Sequence, residues 1–319
     1  MPEPINKPTH NRLIDDAPWE AYKRPYVRDL AYVLACPNVL TQWLDFAPHE
    51  NTHAVAVHSA SFWQAQFEAY APRLTELDTT AAYQKLTRYL LKRPSPNRLG
   101  FHFEGLLSFW LEDGFARKLH PYETLANNVQ LYNGKQTVGE LDLILYNHEE
   151  RLVEHWELAI KFFMGSAPFA PENWVGINSN DNLQRKMTHM QTKQFRSVWV
   201  DTEDHGRIKI DKRYGIIKGR FFLPINSTDF EYPAWLEPKF PLHEWCDKSD
   251  ETNLATIDMA ALRKAHYIEW FNRRDFYDRY GRCQPPLTYL DTPNLRTGLY
   301  FEGERLIVIY PRQLSQIKE

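Results

Sequence analysis

The sequence predicts an α/β protein, and three observations predict it. Residues 139–146 and 152–161 alternate apolar and polar side chains at period two, as half-buried strands do. Asn133-Gly134, just upstream, is a strong signal for a two-residue hairpin turn. Segments with apolar residues at helical spacing lie before and after these strands.

Residues 1–17 are polar and contain proline, which predicts a loosely held arm. From Trp19 to Leu44 the pattern is helical. Val27, Leu30, Ala31 and Leu34 recur on one side, and Pro37 ends the helix near Ala35. Residues 61–70 predict a second helix, stopped by Pro72. Asp78 is the expected N-cap of a third over 79–92, with Tyr83, Leu86 and Leu90 on one side. The cationic, proline-containing break at 92–98 separates this helical region from the centre of the chain. Residues 99–113 predict a helix capped at Gly114, with Phe103, Leu106, Leu107, Trp110 and Leu111 buried and Glu104 placed to face the sheet. A strand over 125–132 and the two runs above then make a three-strand meander.

Residues 165–180 form a long loop rich in Pro, Gly, Asn and Ser, a length that usually has a purpose. Asp181 is expected to cap a helix to about Ser197. Arg185, His189, Lys193 and Arg196 fall on one side of it, and Leu183, Met187 and Met190 on another. A strand begins at Trp199-Val200, and a clearer one covers 214–223. Asp258 is expected to cap a helix through Ala261, Leu262, Ala265, Ile268 and Trp270 toward Tyr280. Residues 298–310 predict a hairpin turning at Glu302-Gly303, with Ile307, Val308 and Ile309 buried. The expected organisation is a helical region 1–97, a central unit 98–225 and a mixed α/β region 226–319.

Composition narrows the function. With 43% hydrophobic and 25% charged residues the chain is an ordinary globular one. A net charge of -3 excludes a generally basic nucleic-acid binder and leaves only local basic patches. Cys36, Cys246 and Cys283 are far apart with no Cys-x-x-Cys, which argues against a zinc ribbon and fits a reducing compartment. No signal-peptide core or membrane-length apolar run is present, so the expected location is the cytoplasm, with no membrane partner. The histidines lack His-Glu-x-x-His spacing, Ser166 has no Gly-x-Ser-x-Gly frame, and no phosphate-cradling Gly-rich loop occurs.

The chemistry-bearing residues lie on the two central strands. Leu141, Leu143 and Leu145 take one face of the first, Glu140 and Asp142 the other. Leu152, Trp156, Leu158 and Ile160 share one face of the second, and His155, Glu157, Ala159 and Lys161 share the opposite one. Carboxylates on neighbouring strands beside a lysine suit a hard divalent cation, which activates water for hydrolysis. A solvated strand face is the competing reading. The basic helix side, with Arg185, Lys193 and Arg196, is a candidate phosphate contact or a solvated face.

The order helix, three strands, loop, basic helix, strand resembles the core of the PD-(D/E)XK nuclease superfamily. The chain is also similar to an uncharacterised bacterial family assigned to that superfamily. The resembling blocks are Arg28-Asp29-Leu30-Ala31-Tyr32-Val33-Leu34, Phe103-Glu104-Gly105-Leu106, Gly139-Glu140-Leu141-Asp142, Trp156-Glu157-Leu158-Ala159-Ile160-Lys161-Phe162, Asn178-Ser179-Asn180-Asp181-Asn182-Leu183-Gln184-Arg185-Lys186 and Gly219-Arg220-Phe221-Phe222-Leu223-Pro224.

The resemblance implies a restriction-endonuclease-like core and a Mg²⁺-dependent (or Mn²⁺-dependent) nuclease acting on DNA or RNA. It implies that Asp142, Glu157, the Leu158 carbonyl and, from the preceding helix, Glu104 hold the metal. The superfamily places a lysine two residues after the glutamate, where this chain has Ala159. Lys161 lies about 6–7 Å further along the strand and would have to lean back over Ala159. Lys186 on the next helix is the other candidate. The alternative is a non-catalytic nucleic-acid-binding or scaffold protein on the same fold.

Overall fold

One large mixed sheet carries most of the chain. The computed structural model describes residues 17–48, 53–95, 98–133, 136–178, 180–228, 230–273 and 295–311. The expected arm at 1–16, Gly134 of the hairpin turn, Cys283 and the continuation toward Tyr280 lie outside those residues.

Four helices come first: α1 (Pro25–Ala35), α2 (Ala60–Thr79), α3 (Tyr83–Lys92) and α4 (Leu99–Ala116). The strands β1 (Tyr122–Asn133), β2 (Gln136–Asn147) and β3 (Leu152–Gly165) follow as the expected antiparallel meander. Next are β4 (Trp174–Gly176), α5 (Leu183–His189), the hairpin β5 (Trp199–Thr202) and β6 (Gly206–Lys209), and β7 (Lys212–Pro224). The remaining elements are β8 (Leu242–Asp247), α6 (Glu251–Leu254), β9 (Leu262–Lys264), β10 (Gly298–Glu302) and β11 (Arg305–Tyr310). The main sheet has the order β1-β2-β3-β7-β8-β11-β10-β9, with β4 paired to the far end of β3. β3, β7, β8 and β11 are parallel neighbours. The sheet therefore continues past residue 225 without a break.

Helices cover β3 on one face. Trp156 packs with Trp63 of α2 and Trp110 of α4, and all three are fully buried. The opposite face, with His155 and Glu157, is covered by the segment after α5, where Phe195 meets the His155 ring at 5.4 Å. Covering both faces of β3 excludes a solvated strand.

Several boundaries differ from the pattern. α2 runs through Pro72 to Thr79, because its stripe of Trp63, Tyr70, Leu74 and Leu77 stays buried. Just beyond the proline, Arg73 forks onto the buried Asp113. Asp78 belongs to α2 and accepts from the amides of Lys23 and Arg24, so it holds the chain that leads into α1 instead of capping α3. α4 passes Gly114, which is required for close approach: an added Cβ would lie 2.5 Å from the His120 ring. Asn182, not Asp181, caps α5 by accepting from Arg185 N at 2.8 Å. The helix expected from Asp258 is replaced by β9 and a 3-10 turn over Tyr267–Trp270. There, strand pairing with β10 and the buried Glu269, which binds Arg263 at 2.8 Å, satisfy the polar groups.

β7 fixes α1 to the sheet. Lys218 is fully buried, donates to the Val33 and Cys36 carbonyls at the end of α1, and lies over the Trp63 ring. Gly219 has φ +129°, and a Cβ there would collide with the Lys161 carbonyl on β3.

Candidate active site

The site forms where β2 parts from β3. Their ladder pairs Leu143–Asn147 with Leu152–Trp156 and then stops. Beyond it, side chains take over the backbone's role. Leu158 N donates to Asp142 Oδ2 at 2.7 Å, and Asp142 N donates to Glu157 Oε1 at 3.3 Å. Each carboxylate thus holds the other strand's amide, which brings the two acids face to face. The same divergence explains why Leu141 leaves the expected company of Leu143 and Leu145. Those two enter the main core, whereas Leu141 joins a smaller cluster with Ile144, Val200 and Ile210.

Glu157 is fully buried. His155 Nε2 lies 2.7 Å from its Oε1, and Gln194 donates to its Oε2. The His155 Nδ1 atom is buried without a partner. An orphaned lone pair costs less than an orphaned N–H, so Nε2 carries the proton and donates. Gln194 reaches Glu157 because the helix after α5 widens to a π turn over Met190–Gln194, closed by Phe195 N donating to Met190 O at 2.9 Å. Gly215 lies beside Glu157 on β7 and leaves the space that Trp43 fills. Trp43 in turn packs on Phe195 and donates to Gln191.

Burial and then the Glu157 charge push the Asp142 carboxyl up to about 8. Burial pushes Glu157 up to about 8 as well. These values belong to the pair. Three donors converge on Glu157 and one amide on Asp142, and the pair as a unit retains protons at neutral pH. Burial, followed by the charge of Asp142, raises Glu104 on α4 to about 7. Its Oε2 is buried without a hydrogen-bond partner, and Arg93 stands 3.9 Å away.

The two candidate lysines separate. Lys161 does not lean over Ala159: its Nζ binds Asp181 at 2.6 Å. Lys186 is the lysine that feels both Asp142 and Glu157. Burial and the neighbouring Lys161 charge lower its pKa, the two acids oppose that change, and its Nζ lies 3.5 Å from Gln194 Oε1. Both lysines line a cleft of about 400 Å³ with Leu158, Ala159, Asn178 and Asp181. Leu158 meets the acids through its amide. Arg185, Lys193 and Arg196 are exposed on the outer side of the α5 segment, and Arg185 Nη1 donates to Asn180 O at 2.9 Å. Among the described residues, no group of three or more His, Cys, Asp or Glu is arranged to hold a metal ion.

The sequence matches the family model described as Domain of unknown function (DUF1853) over residues 28–277. The chain belongs to this family. No curated protein and no solved structure matches it. The DUF1853 span runs from α1 to beyond β9 and holds the carboxylate pair, Glu104, both lysines, Gln194 and the basic side of α5. Within the family's span, His155 and Gln194 are the site residues whose roles the sequence pattern does not disclose. His155 shares Glu157's face by simple alternation, but nothing in the sequence marks the π turn that aims Gln194. No helix among the described residues is long and apolar enough to cross a membrane.

Proposed function

We propose that this protein is a Mg²⁺-dependent nuclease of the PD-(D/E)XK type, hydrolysing phosphodiester bonds in nucleic acid. The observation that carries the reading is the reciprocal Asp142–Glu157 pair at the splayed end of β2 and β3, buried, proton-retaining and beside Lys186. Two buried acids facing each other repel, and a divalent cation relieves that repulsion better than a proton does. Mg²⁺ is held by one or two carboxylates with waters completing its shell, so two suffice. Glu104 Oε2, which has no hydrogen-bond partner and lies 3.9 Å from Arg93, would supply a further oxygen near Asp142.

Asp142 and Glu157 would hold the ion, with Glu104 near. When bound, it supplies an acidified water and neutralises phosphate charge. Lys186 steadies negative charge developing on the phosphoryl oxygens. His155 and Gln194 hold Glu157 in orientation. The Asp142–Glu157 pair would hold the ion in its deprotonated form.

The test is cleavage of single- and double-stranded DNA and RNA in Mg²⁺ or Mn²⁺. Asp142→Asn is expected to abolish cleavage, because Asn keeps the shape and removes the charge. Absence of cleavage on all four substrates, together with metal binding that does not depend on Asp142, would refute the nuclease reading. One observation favours the rival, a non-catalytic nucleic-acid-binding protein on the same fold: Lys161 is committed to Asp181 and Ala159 stands at the expected lysine position. That reading predicts binding without cleavage.

A further inference from the structure

We infer that the β5–β6 hairpin and the outer side of the α5 segment form one platform for single-stranded nucleic acid, with Trp199 as the stacking surface. The inference rests on the reading of the acidic pair as a nucleic-acid site and names the form of substrate. All ten tryptophans are described, and Trp199 is the only exposed one, at 47%. A tryptophan left in water on a folded surface forgoes a large burial gain, and a base-stacking surface is a use that requires the exposure.

Its surroundings are cationic. The Arg207 guanidinium lies over the indole ring at 5.3 Å, and Lys209 is its cross-strand partner. Arg196 and Lys193 precede it on the chain, both exposed. Among the described residues none of these four cations is ion-paired with a carboxylate. The acidic residues Glu203 and Asp204 sit at the hairpin's far turn, and Asp201 stands opposite Arg207 in the strand register without an ion pair to it. Asp211, at the near end, is engaged as the acceptor for Val153 N, so the excess of cations lies at the end joined to the α5 segment. In a chain of net charge -3 this local excess of cations fits a polyanion.

The platform is rigid and adjoins the site. Arg213 is buried and donates to the Phe195 and Ser197 carbonyls, which fixes the link between Gln194 and Trp199. On the hairpin's inner side, Val200 and Ile210 pack with Leu141 and Ile144, which bracket Asp142 on β2. The hairpin's inner face is thus tied to the strand that carries Asp142, and its outer face presents Trp199. An exposed indole requires an unstacked base, which a duplex does not offer. Single strands are therefore the substrate class.

The experiment measures binding in EDTA to labelled oligothymidylate and oligouridylate of about 20 nucleotides, longer than typical single-strand sites of about 4–16, and to a duplex of equal length. Trp199→Ala is expected to weaken single-strand binding about 5- to 150-fold, the range of one lost base stack. Trp199→Phe is expected to recover most of it, with duplex affinity unchanged. Arg196→Ala with Lys193→Ala is expected to weaken both and flatten the salt dependence. Unchanged single-strand affinity in Trp199→Ala, or equal losses for single strand and duplex, would overturn the inference. Equal losses for heparin or anionic vesicles would do the same. Cleavage separates the two readings. Asp142-dependent cleavage with an indifferent Trp199 overturns the platform alone. A Trp199-dependent platform with no cleavage overturns the nuclease reading alone.

Discussion

Asp142→Asn is expected to make the protein more stable at pH 8 while removing its metal response. The perturbation deletes one of two mutually repelling buried acids and keeps its shape. Asn can still accept from Leu158 N through its carbonyl oxygen. Moving the Asp142 carboxyl from 3.8 to about 8, at about 1.4 kcal/mol per pH unit, bounds the cost of its charge at about 6 kcal/mol. Coupling to Glu157 and partial exposure reduce this by about half, leaving roughly 2–4 kcal/mol.

The sign follows from proton binding. The folded state holds the proton between about pH 4 and 8 while the unfolded state has lost it, so wild-type stability falls as pH rises through that window. The Asn variant lacks this term. The gap between variant and wild type should therefore be near zero at pH 4 and reach its full value by pH 8. With about 2.1 cal/mol/K per residue of unfolding entropy, a gap of that size raises Tm by about 3–6 °C in this chain. Thermal melts at matched pH values without divalent ions are the assay. A variant less stable than wild type at pH 8, or a gap that does not grow with pH, would refute the assignment of a buried, repelling pair.

Metal affinity, measured by Mg²⁺ or Mn²⁺ titration calorimetry, should rise with pH through about 8 as the pair gives up its proton; a flat profile would contradict the shared proton. Lys186→Ala should lower the cleavage rate about 10²-fold or more, whereas Lys161→Ala, which leaves Lys186 in place, should cost far less. The reverse order would assign the lysine role to Lys161. Asp113, buried against Arg73, Lys85 and Tyr70, is held down to about 2. Its contribution is present above the ordinary value of 3.8 and is lost as pH falls through about 2. Asp113→Asn should cost about 3 kcal/mol in denaturant melts, since it removes the buried carboxylate and leaves Arg73 only the half-exposed Glu76. Gly219→Ala should destabilise by several kcal/mol or prevent folding, because its Cβ would stand 1.8 Å from the Lys161 carbonyl oxygen; a soluble variant of unchanged Tm would refute that constraint.

Local sequence pattern is enough to specify the meander, the acids and their shared side. Period-two alternation needs only local geometry, and Asn133-Gly134 with the 147–150 turn set which strands are neighbours. That placed Asp142 and Glu157 together before any contact was known. Helix ends were less legible, because a proline or a capping residue states a local preference that packing overrides. Pro72 stayed inside α2 because the buried stripe and the Arg73–Asp113 pair continue beyond it. Asp78 instead holds the amides of Lys23 and Arg24, more than fifty residues away in sequence.

The tertiary structure alone decided the state of the site. Whether β2 parts from β3 at Asp142, and so lets side chains bridge the gap, depends on what packs against each strand. Lys161 is drawn to Asp181, which approaches β3 from the loop before α5, and no local pattern announces that contact. Gln194 was hidden because a π turn shifts the side chains that follow it, and no residue spacing announces that shift. Periodicity fixes the direction of a side chain relative to its own strand or helix. Which partner it meets is set by the long-range packing that brings distant segments together.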